Sequence, residues 1–212
     1  RRRHTRFLHR SRGLGDVYKR QIMLSSFAVA ATIEDPQRIV RNTGDRVLAE
    51  VTERRAELEA DPSLIYPLVE DTVVPHFDFR RMSQAALGRF WRKADEAQKQ
   101  AVTDEFRLLL VRTYATALLG YSGQTIQYLP VQFRQGQKKV MVPTRVAAPD
   151  APSIPVNYRL RLKDQEWKVY DVVIDGVSLI TNYRSQFTAE VRRGGIDGLI
   201  SSLANKNRRL DK

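Results

Sequence analysis

Two carboxylates, one histidine and a few tyrosines are the side chains here whose types and spacing could support catalysis. Asp171 and Asp175 stand four positions apart in "EWKVYDVVID", and on a strand that spacing puts both on one face. At about 3.3 Å per residue the carboxylates are then about 13 Å apart, beyond the roughly 5–9.5 Å of glycosidase pairs. A lone carboxylate remains usable: Asp171 on an otherwise apolar strand is a candidate base in a conical pocket, with Tyr158 or Tyr114 as proton donor, as in ketosteroid-isomerase-like enzymes. The alternative places both aspartates at a wet face or at the rim of a sheet. Of three histidines, His4 and His9 lie in an Arg-rich leader, which leaves His76. A serine triad needs a histidine base and a catalytic zinc site usually needs more than one histidine, so His76 reads as a helix-end residue. The chain has no cysteine, no phosphate-binding glycine loop and no G-x-S-x-G elbow.

A second constellation is basic and aromatic. Arg80, Arg81, Arg89, Arg92 and Lys93 surround Phe90 and Trp91, a mixture that nucleic-acid platforms use. A solvated helix end with Trp91 packed inward explains the same residues. The formal charge of +12 also suggests a polyanion, but residues 1–20 hold eight Arg or Lys against Asp16, leaving only +5 for the rest. Part of that remainder sits between Lys206 and Lys212. The body is close to balanced, and nucleic acid is not an expected partner.

The elements that position these residues follow from periodicity. Asp35-Pro36 and Asp61-Pro62 each pair an N-cap with proline at the first helical position. Between them Ile39, Val40, Val47, Leu48, Val51 and Leu58 recur at helical spacing; after the second, Leu64, Ile65, Leu68, Val69 and Val73 do so, with Pro67 an irregularity. A third helix runs from Asp78 to Gly88, and a fourth from Asp95 to Gly120. The stretch "FRLLLVRTYATALL", from Phe106, is apolar on nearly every side and predicts a central helix buried all round. After "GYSGQ" the period becomes two: "TIQYLPVQF", "KKVMVPTRV", "SIPVNYRLRLK" and "EWKVYDVVID" read as four strands. In the third, Ile154, Val156, Tyr158, Leu160 and Leu162 face one way and Asn157, Arg159, Arg161 and Lys163 the other. That is an antiparallel sheet, dry on one face. Gly176 ends the last strand, a helix follows from Ser178 to about Arg192, and Gly194-Gly195 breaks it before a final helix over 196–205. Helices, strands, then helices predict an α+β fold: helices on one face of a curved, mostly antiparallel sheet of about four strands, with an apolar cavity between them.

The N-terminus reads as a leader over residues 1–31, in which residues 1–20, with "RSRGLGDVYKRQ", resemble read-through sequence more than a natural signal start and the remnant of a signal peptide follows. Ile22 to Ala31 is apolar, follows a basic stretch and contains Ala28-Val29-Ala30, the small-x-small pattern of a signal-peptidase site. It is too short to span a bilayer. One domain over 32–207 and a basic tail over 208–212 complete the expected organisation.

Four segments, "VVPHFDFRRMSQAALGRFWR" (73–92), "FRLLLVRTYATALLGYSGQ" (106–124), "VNYRLRLKDQEWKVYDVVIDGVSLITNYRSQF" (156–187) and "GGIDGLISSLANKN" (194–207), together resemble the MlaC family of periplasmic phospholipid-binding proteins, also called toluene-tolerance proteins. The resemblance runs in order over about residues 34–207. It implies a periplasmic, non-enzymatic, monomeric carrier with no cofactor. Its cargo would be phospholipid, with acyl chains in an apolar pocket and head group toward solvent. Its partners would be an outer-membrane lipoprotein complex and an inner-membrane ABC transporter, within the pathway that maintains outer-membrane lipid asymmetry. Alternation within that frame selects lipid-binding candidates: Phe106, Leu109, Leu110, Tyr114 and Leu118 from the helix, and Val140, Val142, Val156, Tyr158, Leu160 and Leu162 from the sheet. Val177, Leu179, Ile180 and Tyr183 add the junction of strand and helix. Arg184 is expected at the pocket mouth or facing a partner.

Overall fold

A computed structural model describes residues 34–134, 136–148 and 151–210; the leader and its cleavage pattern lie outside them. Helix α1 (Pro36–Glu53) starts where Asp35 accepts a hydrogen bond from the Gln37 N–H at 2.9 Å, with proline at its first position. Helix α2 (Arg55–Ala60) continues after an offset at Arg54. Asp61 then caps a 3₁₀ turn over Pro62–Leu64 that leads into α3 (Ile65–Thr72). Pro67 is no irregularity there, because it lies in the first turn of α3, where the missing N–H would have no helical acceptor. Helix α4 (Phe79–Leu87) is capped by Asp78 and ends at Gly88, whose φ of 57° suits glycine. Helix α5 (Glu96–Leu119) opens on a reciprocal capping box between Asp95 and Gln98.

Five strands follow in chain order, each antiparallel to its neighbour: β1 (Thr125–Tyr128), β2 (Lys139–Ala148), β3 (Ala151–Lys163), β4 (Glu166–Ile174) and β5 (Val177–Ser178). Both tight turns at β4 place two successive residues at positive φ: Asp164 and Gln165 at 49° and 67°, Asp175 and Gly176 at 49° and 79°. Those values match the hairpin turns whose twist fits twisted strands. The fifth strand, unforeseen in the sequence, is the two-residue return of the second hairpin, too short to show a period. Helix α6 (Leu179–Leu210) leaves it directly, with a non-helical break at Gly195 (φ 70°) where the glycine pair predicts one.

The interior has three parts. Helices α4, α5 and α6 enclose Met82, Phe106, Leu109, Tyr183, Phe187 and Leu199. Helices α1, α2, α3 and α5 share Val47, Val51, Leu58, Ile65, Leu68 and Val111. The start of α1 packs with the sheet through Ile39, Val40, Val142, Leu160 and Trp167. No helix of the described residues is long and apolar enough to cross a membrane.

The basic and aromatic cluster resolves as a helix end. Trp91 is buried with α4 and α5. The Arg80 guanidinium lies 5.4 Å from the centre of its ring and pairs with Glu96 at 2.8 Å, while Arg89 covers Phe90.

Candidate functional site

Asp171 decides the catalytic question. The β3–β4 register runs Tyr158↔Val172 and Arg159↔Asp171, then jumps to Leu160↔Val169, so Tyr170 is a bulge and the face of β4 inverts across it. Asp171 therefore shares the side of Arg159, not that of Tyr158. The expected common face with Asp175 also fails, because Asp175 stands in the hairpin turn at positive φ. Asp171 is buried, and its polar contacts among the described residues are structural. It accepts from Arg159 Nη1 at 2.9 Å, Ser178 Oγ at 2.8 Å and the Ile180 N–H at 3.2 Å. It anchors the first turn of α6 to the sheet, as Asp78 does for α4 by accepting from the Arg81 N–H at 3.0 Å with Arg161 Nε 3.2 Å away. Neither aspartate is placed to act on a molecule in the hollow of the fold.

That hollow lies on the other face of the sheet, a cavity of about 660 Å³, within the roughly 300–1,000 Å³ common for small-molecule sites. Its walls follow from the elements. Helix α1 presents Ile39, Thr43 and Val47 at helical spacing, and the end of α3 adds Val69, Val73 and Val74. Helix α5 contributes Leu110, Tyr114 and Leu118, which fall on one stripe at intervals of four. The sheet supplies Ile126 of β1, Val146 of β2, Ile154, Val156 and Tyr158 of β3, and Val169, Val172 and Ile174 of β4, with Leu179 at the start of α6.

Among the described residues no carboxylate, lysine or arginine lines the cavity; its polar members there are Thr43, His76, Gln124 and the tyrosines 114, 121 and 158. Burial pushes the Tyr158 hydroxyl above its ordinary pKa. His76 is held below the usual histidine value, first by burial and next by the charge of Lys168. The wall therefore favours uncharged groups. It offers acyl chains a dry surface, and the two aspartates weighed as bases stand outside it.

Helix α5 is not buried all round. Phe106, Leu109 and Leu110 are enclosed, whereas Thr113, Tyr114, Thr116 and Ala117 are exposed. Its last two turns overhang the sheet with the cavity beneath, which accounts for apolar residues beyond what packing uses.

Six of the fifteen candidates line the cavity: Leu110, Tyr114, Leu118, Val156, Tyr158 and Leu179. Phe106, Leu109, Ile180 and Tyr183 are packed among α4, α5 and α6 instead, and the ring of Phe106 lies 4.9 Å from Tyr183 and 5.0 Å from Phe187. Val140, Val142, Leu160 and Leu162 are on the expected sheet face, but at the end where Trp167 fills the space. Val177 is exposed beside the opening. Arg184 is away from the mouth, against the end of α4: its Nε would stand 3.1 Å from a Cβ on Gly88. The residues missed are those of α1 and the α3 end, whose helical spacing reads as ordinary core, and Ile126, Val146, Ile154, Val169, Val172 and Ile174 of the sheet. One signal was present. Gly44 sits inside α1, where glycine costs about 1 kcal/mol relative to alanine, and a Cβ there would meet Tyr128 Oη at 2.7 Å.

Tyr128 Oη also donates to Asp45 at 2.8 Å, and Arg41 lies 4.3 Å from the centre of its ring, so β1 is clasped to α1 along that wall.

Comparison with known proteins places these features in a context. Residues 41–205 match the family model described as MlaC protein. The toluene tolerance protein ttg2D of Pseudomonas putida is 25% identical over 198 residues, covering 90% of this chain and 92% of that protein. The intermembrane phospholipid transport system binding protein MlaC of Haemophilus influenzae is 24% identical over 189 residues, with 85% and 87% covered. A phospholipid-binding protein from Ralstonia solanacearum, solved in complex with a phospholipid, superposes with a TM-score of 0.78 at 34% identity, covering 84% of this chain and 100% of that one.

Proposed function

This chain belongs to the MlaC family, and from that premise we propose that it is a phospholipid carrier of the periplasm whose cavity holds the acyl chains. The observation that carries the reading is the uncharged, largely aliphatic cavity between α1, α5 and the sheet, together with the phospholipid bound by a structural relative at 34% identity. Leu110, Tyr114, Leu118, Val156, Tyr158 and Leu179 are the proposed contacts from among the residues first selected. Of the nine others, eight belong to the packed cores and Val177 borders the opening.

The energetics suit a shuttle. Each methylene held out of water contributes about 0.8 kcal/mol, so bare tails are very costly in solution. Passage from one dry environment to another is close to neutral, and cargo can be both held and released. The proposed setting is a transport system in which an outer-membrane lipoprotein complex and an inner-membrane ATP-driven transporter exchange lipid with this chain. The reading also includes export by the N-terminal leader and a monomeric carrier that needs no cofactor.

The test is cargo analysis of protein purified without detergent, comparing wild type with Leu118→Glu. Wild type is expected to carry organic phosphate and diacyl lipid in stoichiometric amount and the folded variant much less. Equal cargo in both would remove the cavity from the account.

A further inference from the structure

Among the described residues, large apolar side chains that stand in water are not spread evenly. Phe133 lies against Trp167, Met141 is on the outer sheet face and Leu210 ends α6, whereas Tyr114 and Ile154, 37% and 49% exposed, line the cavity, and Val177, 60% exposed, pairs with the lining residue Ile174. Strand register explains the convergence. Paired residues share a face. One cross-strand row at this end of the sheet is wholly aliphatic, Ile126–Val146–Ile154 across β1, β2 and β3, and the next, Tyr128–Thr144–Val156–Ile174–Val177, is aliphatic over β3, β4 and β5. Of these aliphatic residues all but Val177 line the cavity. Opposite them, Tyr114 and the exposed Ala117 of α5 continue the apolar surface. Scattered exposed aliphatics need no explanation, whereas a contiguous apolar rim marks a contact surface.

We infer that this rim is a docking collar for the surface of a phospholipid bilayer, through which acyl chains pass without crossing water. The inference rests on the carrier reading above. The wall of the cavity and the collar form one continuous surface, so a chain leaving the cavity stays dry if the collar touches another apolar surface, and the hydrocarbon of a bilayer supplies one. The described collar side chains carry no charge, which makes their attraction apolar and insensitive to salt. Tyr114 is the kind of amphipathic ring that settles at a membrane interface. The collar is also small: a stable protein interface takes about 20–30 residues from each side, while a handful suits a brief contact with lipid.

Val177 separates docking from holding, because it borders the cavity without lining it. Lipid-loaded protein is mixed with protein-free zwitterionic phosphatidylcholine vesicles, and transfer of a fluorescent phospholipid is followed for wild type, Val177→Lys and Val177→Ser, with melting curves confirming the fold. Wild type transfers its lipid at a rate that does not fall with added salt. Val177→Lys retains its lipid but transfers it at least about tenfold more slowly, equivalent to 1.4 kcal/mol, and Val177→Ser is slowed less. An unchanged rate in folded Val177→Lys overturns the inference. So does wild-type protein that keeps its lipid beside bare vesicles, a result that assigns the collar to a protein partner. Wild-type protein that never takes up lipid is a separate failure, that of the carrier reading.

Discussion

Leu118 and Leu160 carry the same side chain under opposite demands. Leu160 is fully enclosed with Val142 and Trp167, so Leu160→Glu puts a carboxylate into a closed apolar site at a cost of several kcal/mol. Loss of the cooperative melting transition is the expected result. Leu118 borders the hollow, and Leu118→Glu can turn its charge toward water in the opening. Its melting temperature is expected within a few degrees of wild type, with cargo lost. His76 gives a prediction in pH. Its folded pKa is depressed, by burial first, so the fold binds a proton less readily than the unfolded chain does. The corresponding stability is fully present above the ordinary value of 6.5 and is lost as pH falls through the lowered one. Comparing melting curves of wild type and His76→Gln across that window should show a shallower acid-side decline in the variant. Parallel declines would mean that other groups dominate.

The elements depend on two buried carboxylates that each tie a helix start to β3. Removing Asp171 leaves the α6 N-terminus without its acceptor and Arg159 without its partner. Breaking a buried ion pair costs about 3–5 kcal/mol, and the lower end applies because the Arg159 side chain is 44% exposed. Asp171→Ala should therefore lower unfolding free energy by about 3 kcal/mol in urea denaturation, while any folded fraction still carries lipid. A folded, stable variant that fails to retain lipid would return Asp171 to the site. Much at this scale was readable from residues, because capping chemistry is local: Asp35, Asp61, Asp78 and Asp95 each mark a real helix start, and alternation along β3 names its faces correctly. The reading failed where a feature is not local. The bulge at Tyr170 inverts one face of β4 with no signal in the letters around it. Along a single dry sheet face, whether Leu160 meets Trp167 or Val156 meets empty space depends on how far α5 stands from the sheet. Aliphatic residues serve both purposes equally well.

At the scale of the molecule, one sheet face is solid at one end and hollow at the other, and the helix above it keeps apolar residues that packing does not use. An interior seldom stays open without a purpose, since each unfilled space forfeits contact energy. Here the volume is large, uncharged and continuous with an apolar rim, and acyl chains supply the missing contacts. The overall charge plays little part in this account, because much of it is concentrated in residues 1–20. Native mass spectrometry of the protein, expressed with its own lipids and purified without detergent, tests the central claim most directly. The account predicts a population heavier than the polypeptide by the mass of a diacyl phospholipid, reverting to the bare chain on denaturation. A single species at the polypeptide mass, in protein shown to be folded and exposed to lipid throughout, would contradict it.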